Sequence, residues 1–472
     1  MHHISELLSA EKYKEKPWLI VGKGPSFAEI NKVDLDKFFI FCLNHTISAV
    51  ERAEIIHAID FDVFTSCASE IYSKAKYLVM PINPHFNNKP TEDTLFDLLE
   101  KNAVLKKLSE EGRLFWYNHI KGKALLSDRN KIRLNYKDVV VKYFSAEVPF
   151  YMLGMFGIKE LYSVGIDGGN SYDGKFSNST LLANGRPSFD VQFDCIRDSI
   201  EKFDITYSPI NSQYPIKIYV GFANEQTLAV KVLEYSIKKR TKVDIEVVPM
   251  PVSGVIDKFL VPQLNGFSGR AIYMDYDVLV LKDIRQIWNL PMSNSDIFTL
   301  KNSLKGFDLS VMLFNCDRLK SSINAIKEVL GKQELGYKNL LKKVAGINTI
   351  AAKIPNLWSC SQKDNIALIK YDDLATQPWI SVKHPFCSIW VSELIEAIDN
   401  NFINIEMVRD SVAKGLVRPS LLYQVENRVV ESGVISEQIK SLDKNFVNLL
   451  LKNKPSLRKK IIQKIRKLLV LD

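Results

Sequence analysis

Two aspartates two positions apart, Asp275 and Asp277, stand where one apolar run, Ala271–Met274, gives way to another, Val278–Leu281. A buried strand that ends in Asp-x-Asp delivers two carboxylates to the rim of a sheet. Hard divalent cations take oxygen ligands, and a Mg²⁺ site often combines one or two carboxylates with the phosphates of its substrate. The pattern suits a nucleoside diphosphate bridged by Mn²⁺ or Mg²⁺. Turns are also rich in Asp, and a solvated turn accounts for most isolated pairs of this kind. Apolar flanks on both sides count against that reading here.

A second set of residues lies far upstream. Trp18–Val21 is apolar and runs into Gly22-Lys23-Gly24-Pro25-Ser26. Phe38–Leu43 ends at Asn44-His45-Thr46, Val139–Phe144 precedes Ser145, and Glu160–Ile166 ends at Asp167-Gly168-Gly169-Asn170. A Gly-rich loop can bring backbone N–H groups close to a phosphate, although Gly-Pro is also a plain turn signal. Gly22, Lys23, Gly24, Ser26, Asn44, Ser145 and Asp167 thus form a candidate ligand-binding edge. His45, His57, His85 and His119 match no zinc spacing, and His45 alone among them falls at that edge.

Both sets need strands to position them. Apolar runs alternating with helical stretches predict a parallel sheet with helices on its faces, and open α/β sheets bind ligands at the carboxyl ends of their strands. Ile216–Phe222 and Val243–Met250 predict strands flanking a helix over Leu228–Lys238, and Leu309–Phe314 predicts another strand. Residues 87–133 read as long, charged and helical. The polar stretch 205–215, with two prolines, is the best boundary. The expected architecture is α/β, with two Rossmann-like modules at 1–210 and 211–390 and a helical region at 391–472.

Composition bounds the function. With 46% hydrophobic and 25% charged residues in 472, the chain has an ordinary globular balance. No run of 18 apolar residues exists, so no membrane-spanning helix is expected. The six cysteines, Cys42, Cys67, Cys195, Cys316, Cys360 and Cys387, are scattered, which fits a reducing cytoplasm. Of the net charge of +9, residues 452–472 hold eight Lys or Arg and one Asp, or +7, leaving +2 elsewhere. A nucleic-acid partner is therefore not indicated. The tail 456–471 carries Leu457, Ile461, Ile462, Ile465, Leu468 and Leu469 on one helical face and cations on the other. Such a helix can lie on the anionic inner face of the cytoplasmic membrane or dock on the protein body; both produce the same pattern.

The order of IKIYVGF, Phe259–Pro262, Gly269-Arg270, the Asp-x-Asp strand, Leu309–Phe314, Pro355–Trp358 and Lys370–Trp379 resembles glycosyltransferase family 8, the retaining GT-A enzymes, over residues 215–392. The resemblance implies a GT-A fold, a nucleotide-sugar donor (a UDP-sugar), a metal at Asp275 and Asp277, and a glycan or glycolipid acceptor such as a growing lipopolysaccharide or capsule. It implies donor contacts for Gly221, Phe222, Asp275, Tyr276, Gln377, Trp379 and Lys383, and catalytic roles for Asp308 and Lys370. The family's metal-binding histidine falls at Lys370. Lysine has no lone pair for a metal but can pair with a diphosphate. Lys370 replaces part of the metal's charge, or Asp372 supplies a ligand, or the site has decayed. Asp308 faces the sugar or is a strand-entry turn, and His384 is a second-choice ligand.

The GKGPS, LNHT and GID segments resemble the bacterial sialyltransferases of glycosyltransferase family 42 and related motility-accessory-factor domains, over residues 16–210. That resemblance implies a CMP-sugar site at the candidate edge. Lys23 stands where those enzymes carry Asn, and no histidine occurs between His119 and His384 to serve as their base. Three functional readings result: a UDP-sugar transferase, a bifunctional enzyme whose first module uses a CMP-sugar, and a non-catalytic nucleotide- or glycan-binding scaffold.

Overall fold

A computed structural model describes residues 1–120, 136–177, 186–222, 227–292, 295–302, 306–320, 350–353, 358, 366–443 and 446. The basic tail 456–471 and most of Pro355–Trp358 lie outside these residues. The chain divides into two compact units, Met1–Ser212 with Asn289–Asn294, and Gln213–Trp288 with Ser295–Asp472. The helices after residue 390 belong to the second unit.

The main sheet of the first unit is wholly parallel. Its strands are β1 (His2–His3), β2 (Trp18–Val21), β3 (Phe39–Leu43), β4 (Ala53–His57), β5 (Ala75–Pro81), β6 (Leu114–Ile120), β7 (Asp138–Val140), β8 (Glu160–Val164) and β9 (Thr206–Pro209). The order is β1-β6-β5-β4-β3-β2-β8-β9, with β7 on β6. The chain therefore builds outward from β2 to one side, then returns to place β8 on its other side. All four residues of β2 are buried. Trp18 and Ile20 pack into one apolar layer, Leu19 and Val21 into the other, the two-sided burial that parallel sheets require.

Two expectations change. Residues 87–133 are not uniformly helical: Leu95–Leu99 and Ala103–Glu110 are helices, but Leu114–Ile120 is strand β6. Its Phe-Trp-Tyr run suits a pleated, two-sided core. The strand after residue 138 stops at Val140, because the N–H groups of Lys142, Tyr143 and Phe144 turn to the buried Glu147 carboxylate at 2.7, 3.0 and 2.9 Å. Glu147 opens α1 (Glu147–Met155), and α2 (Gln192–Phe203) follows.

The second unit holds β10 (Ile216–Phe222), β11 (Ile245–Pro251), β12 (Arg270–Asp275), β13 (Val278–Val280), β14 (Ile297–Asn302), β15 (Gly306–Asn315), β16 (Ile350–Lys353) and β17 (Leu368–Lys370). Its main sheet runs β11-β10-β12-β15-β14-β16 and is mixed, with β15 antiparallel to both neighbours. A two-stranded ladder pairs β13 with β17, setting Val278 opposite Lys370. Helices α3 (Thr227–Arg240), α4 (Cys387–Asp399), α5 (Ile405–Ala413) and α6 (Pro419–Glu426) share one core with β13, β17 and the strip that follows Lys370.

Candidate functional site

In the second unit, β10 and β12 run parallel, with Gly221 in register with Asp275. Both carboxyl ends therefore open at one edge, and Asp275 is the last residue of its strand. The chain then turns, Tyr276 N–H donating to Gly221 O at 3.0 Å, and sends Asp277 into the start of β13. Tyr371 N–H donates to Asp277 O at 2.7 Å. Lys370 thus arrives beside the Asp-x-Asp pair because the β13–β17 ladder delivers it there, 93 residues downstream of Asp277 in the sequence.

The resulting cluster alternates charge. Lys258 Nζ donates to both oxygens of Asp275 at 2.7 Å, and Tyr273 Oη donates to Asp275 Oδ1 at 2.6 Å. Lys370 Nζ donates to both oxygens of Asp308, at 3.2 and 3.1 Å. Ser310 supplies Asp308 with an N–H at 2.9 Å and a hydroxyl at 2.6 Å. Burial opposes both charges of this second pair. The ion pair nevertheless outweighs it, holding Asp308 below the usual carboxylate range and Lys370 above the usual lysine range, with Asp277 and Asp275 adding to the latter. Asp277 differs. Burial, then the charge of Asp275, push its carboxyl up to about 7, and its Oδ1 is shielded from solvent with no hydrogen-bond partner.

That orphaned oxygen beside a second carboxylate is the arrangement a hard cation relieves. Among the described residues no three His, Cys, Asp or Glu converge, so a cation here would take Asp277 and, in exchange for Lys258, Asp275, with its other positions open to phosphate oxygens and water. Such a donor set fits Mg²⁺ or Mn²⁺ bound with a diphosphate.

The other expected residues sort by burial. Gln377 and Trp379 are each 1% exposed. Gln377 Nε2 donates to Tyr371 O at 3.0 Å, and Trp379 packs among Tyr276, Tyr371 and Trp390, so both brace the strip behind Lys370. Tyr276 is partly buried between this cluster and the carboxylates; burial, then Asp277, raise its phenol to about 12. Phe222 is partly buried, its carbonyl taken by Val252 N–H at 3.0 Å. Lys383 is exposed, and its N–H turns to Ser381 Oγ at 3.2 Å. His384 Nδ1 accepts from Phe386 N–H at 3.1 Å, within a turn. Sequence reasoning missed Lys258 and Tyr273, whose side chains meet only when β12 and the short helix Val255–Lys258 fold together.

Gly221 has a sharper role than backbone continuity. A Cβ there would lie 2.0 Å from Tyr273 Oη, so a methyl group must push that hydroxyl off Asp275. Gly221→Ala is expected to lower turnover at this carboxylate pair about 10²-fold, the size of a misplacement near 1 Å. Tyr273→Phe, which removes only the hydrogen bond, should lower it by about tenfold. Steady-state kinetics of the two variants decide this, and equal losses would contradict a displacement of Asp275.

The first unit has its own candidate site, at the carboxyl ends of β2, β3 and β8, where the strand order reverses. A cleft of about 530 Å³, its open mouth included, is lined by six of the seven expected residues there: Gly22, Lys23, Gly24, Asn44, Ser145 and Asp167. The seventh, Ser26, stands behind them: its Oγ accepts from Gly165 N–H at 2.8 Å and its N–H donates to Asp167 Oδ2 at 2.7 Å. The two loops interlock so closely that a Cβ on Gly22 would meet Gly165 O at 2.2 Å. Gly165 itself sits at φ +70°, where a side chain is strained. Asn44, at φ +55°, donates from Nδ2 to Ser145 Oγ at 3.3 Å, and its Oδ1 has no partner. Tyr172, Phe189 and Gln192 also line it and were missed, being supplied by loops and a helix after β8. His57 is a core residue, fully buried with Nε2 2.9 Å from Tyr117 Oη.

No family model matches the chain. Protein CDI of Arabidopsis thaliana is 28% identical over 95 residues, which is 16% of this chain and 37% of that protein. Among solved structures, the glycosyltransferase GlyE of Streptococcus pneumoniae TIGR4 is similar at 10% identity and TM-score 0.33, over 40% of this chain and 64% of its own. The bifunctional glycosyltransferase WbbM is similar at 12% and 0.33, over 45% and 59%. The galactosyltransferase LgtC, in complex with donor and acceptor sugar analogs, is similar at 13% and 0.28, over 37% and 92%. The chain thus spans less than two thirds of Protein CDI, GlyE and WbbM. No helix among the described residues is long and apolar enough to cross a membrane.

Proposed function

We propose that the chain is a nucleotide-sugar-dependent glycosyltransferase whose second unit transfers a hexosyl group from a UDP-sugar to a glycan or glycolipid acceptor. The observation that carries this is the cluster of Asp275, Asp277, Asp308, Lys258 and Lys370 at the carboxyl edge of β10 and β12. In the reaction the anomeric C–O bond to the diphosphate breaks, a new bond forms to an acceptor hydroxyl oxygen, the hydroxyl proton passes to water or to an oxygen of the leaving diphosphate, and negative charge gathers on that departing group. Lys370 and Lys258 would meet that charge, and fixed cations placed where charge develops are the largest contribution most sites make. Asp308 orients Lys370, and Tyr273 with Lys258 fixes Asp275. Asp277 and Asp275 would hold Mn²⁺ or Mg²⁺, which when bound neutralises the leaving group.

The resemblance to family 8 supports retention of anomeric configuration and a growing lipopolysaccharide or capsule as acceptor, on the cytoplasmic side of the membrane. The cleft of the first unit favours a second reading, a bifunctional chain with two ligand sites.

Donor hydrolysis across UDP-, GDP- and CMP-sugars, in Mn²⁺ and in EDTA and with glycolipid acceptors present, tests the proposal. The expected result is turnover of one UDP-sugar in Mn²⁺ that EDTA abolishes. Turnover of a CMP-sugar alone would move the chemistry to the first unit. Nucleotide binding without turnover of any donor would make the chain a binding module.

A further inference from the structure

The carboxylate edge of the second unit already holds a cation, and that cation belongs to the chain. Lys258 Nζ stands 2.7 Å from each oxygen of Asp275. One ammonium centred on both oxygens takes the place that a divalent ion chelated by this carboxylate needs. Tyr273 Oη holds a further lone pair of Oδ1 at 2.6 Å. The pair is enclosed: the Lys258 side chain is 14% exposed and that of Asp275 22%, so salt and water screen it little. Two positive charges cannot share one carboxylate at that spacing without strong repulsion. An incoming ion must therefore exchange with Lys258.

What Lys258 meets on leaving decides when the exchange occurs. Its other close contacts among the described residues are neutral: Leu309 O at 3.4 Å and the Tyr273 ring, whose centre lies 5.1 Å away. Asp308 is committed to Lys370 and Ser310, and Asp257 to the N–H groups of Ser253 and Gly254 at 2.7 and 3.1 Å. Asp277 goes to the ion itself. An ammonium displaced by the ion alone is thus left partly buried without a counter-charge, which is costly. A diphosphate that arrives with the ion supplies the missing charge. The move needs no change in the core: Phe259, next to Lys258, is fully buried, and the flexible four-carbon stem of lysine can swing from that anchor.

We propose that Lys258 is an internal competitor of the divalent ion: it holds Asp275 against the ion alone and yields it when a diphosphate comes too, so that ion and donor enter together. The inference rests on the reading of this edge as the metal and donor site. Lys258 acts through Asp275, as a positioning residue.

Two effects of removing the ammonium run in opposite directions. Affinity for the ion alone equals the intrinsic affinity reduced by the fraction of time that Asp275 is clear of Lys258, so it rises, by about tenfold when that fraction is about one-tenth. Affinity for a diphosphate in the presence of the ion falls, because the ammonium that turns to it is gone. Loss of a side chain with a merely structural role weakens both.

The test is titration of the full chain with Mn²⁺, followed by the paramagnetic resonance of the free ion, alone and with UDP or uridine. Wild type should take up Mn²⁺ weakly alone and about tenfold or more tightly with UDP, but not with uridine, and Mn²⁺ should tighten UDP by the same factor. Lys258→Met, close in length and uncharged, should bind Mn²⁺ alone about tenfold more tightly than wild type, and UDP with Mn²⁺ more weakly. Lys258→Arg should restore the wild-type pattern. Adding Asp275→Asn to Lys258→Met should abolish the gain. Unliganded Lys258→Met should melt below wild type, since Asp275 loses its counter-charge. Mn²⁺ should raise the Tm of the variant by more than it raises that of wild type, which separates a weakened fold from an altered site. Equal affinity of wild type and Lys258→Met for Mn²⁺ alone, or weaker binding of both Mn²⁺ and UDP by the folded variant, overturns the role of Lys258 and leaves the metal reading standing. A gain that survives Asp275→Asn places the ion elsewhere and overturns the proposal too. Mn²⁺ uptake by neither protein, with or without UDP, overturns the metal reading itself and this inference with it.

Discussion

Asp277→Asn is expected to lower sugar transfer by 10³-fold or more while leaving the fold intact. The substitution keeps the shape of the side chain and removes a charge that the site holds at a cost. Asp277 lies beside Asp275, and its Oδ1 has neither solvent nor a donor. The role proposed for it is to bind a cation at the diphosphate, and removing such a contribution costs about 10²–10³ when one of several donors is lost. Here one of the two carboxylates proposed to hold the cation goes, so the upper figure or beyond is expected. Stability should move the other way. Burial and Asp275 raise the folded-state value to about 7, well above that of an ordinary aspartate. The folded chain then binds more protons than the unfolded chain between roughly pH 4 and 7, so wild-type stability falls as pH rises through that window. The Asn variant lacks that fall. Urea denaturation in EDTA, with no divalent ion to offset the charge, should show the variant at least as stable as wild type at pH 8 and gaining relative to it from pH 5 to pH 8. A variant that loses activity and stability together at pH 8 would mean that Asp277 is a structural residue.

The second large effect falls on Arg418, far from the carboxylates in sequence. Its side chain is fully buried. Nε donates to Pro378 O at 2.8 Å, Nη2 to Gln424 Oε1 at 2.5 Å and Nη1 to Ser420 Oγ, and its N–H donates to Trp379 O at 2.8 Å. Ser420 in turn donates to Asp443 through N–H and hydroxyl. Arg418 thus ties the helices after residue 400 to the strip that carries Gln377 and Trp379 behind Lys370. Arg418→Ala leaves several buried acceptors without donors, at about 1–3 kcal/mol each before relaxation, and opens a large void. A loss of about 3–5 kcal/mol is expected in the transition of the second unit. Arg418→Lys should recover little, since one ammonium cannot replace a planar fork. Tryptophan fluorescence during denaturation reads the change through Trp379 and Trp390, and a shift below about 1 kcal/mol would contradict the account.

What was legible in the sequence follows from how local the signal is. Strands such as Trp18–Val21 and Phe39–Leu43 announce themselves as short apolar runs closed by Gly or Asn, because a parallel strand buried on both faces must be apolar throughout. The Asp-x-Asp corner is equally local. Lys258 is not: it sits 17 residues before Asp275 with no spacing to mark it, and only the folded short helix brings it within 2.7 Å. Lys370 was legible as a departure from a family pattern, but its pairing with Asp308 depends on the β13–β17 ladder. Tyr172 and Phe189 were invisible because a stacking wall assembled from two loops has no periodicity. The strand Leu114–Ile120 was misread because charged residues on both sides of it suggested solvated helix.

One earlier observation bears on how the protein comes into being. The first unit is not finished at Ser212; it also takes Asn289–Asn294 from within the second half of the sequence. Asn289 is buried there, donating from Nδ2 to Ser208 Oγ at 3.0 Å and accepting from Ser212 Oγ at 2.8 Å, and Arg197 Nη1 donates to Pro291 O at 2.5 Å. During synthesis the ribosome must therefore carry the chain past residue 294, well into the second unit, before the first can close. The two halves are not interchangeable cassettes: a gene split at residue 212 would encode a first product with an open seam, and recombination that exchanged the second half would have to bring a matching six-residue patch with it.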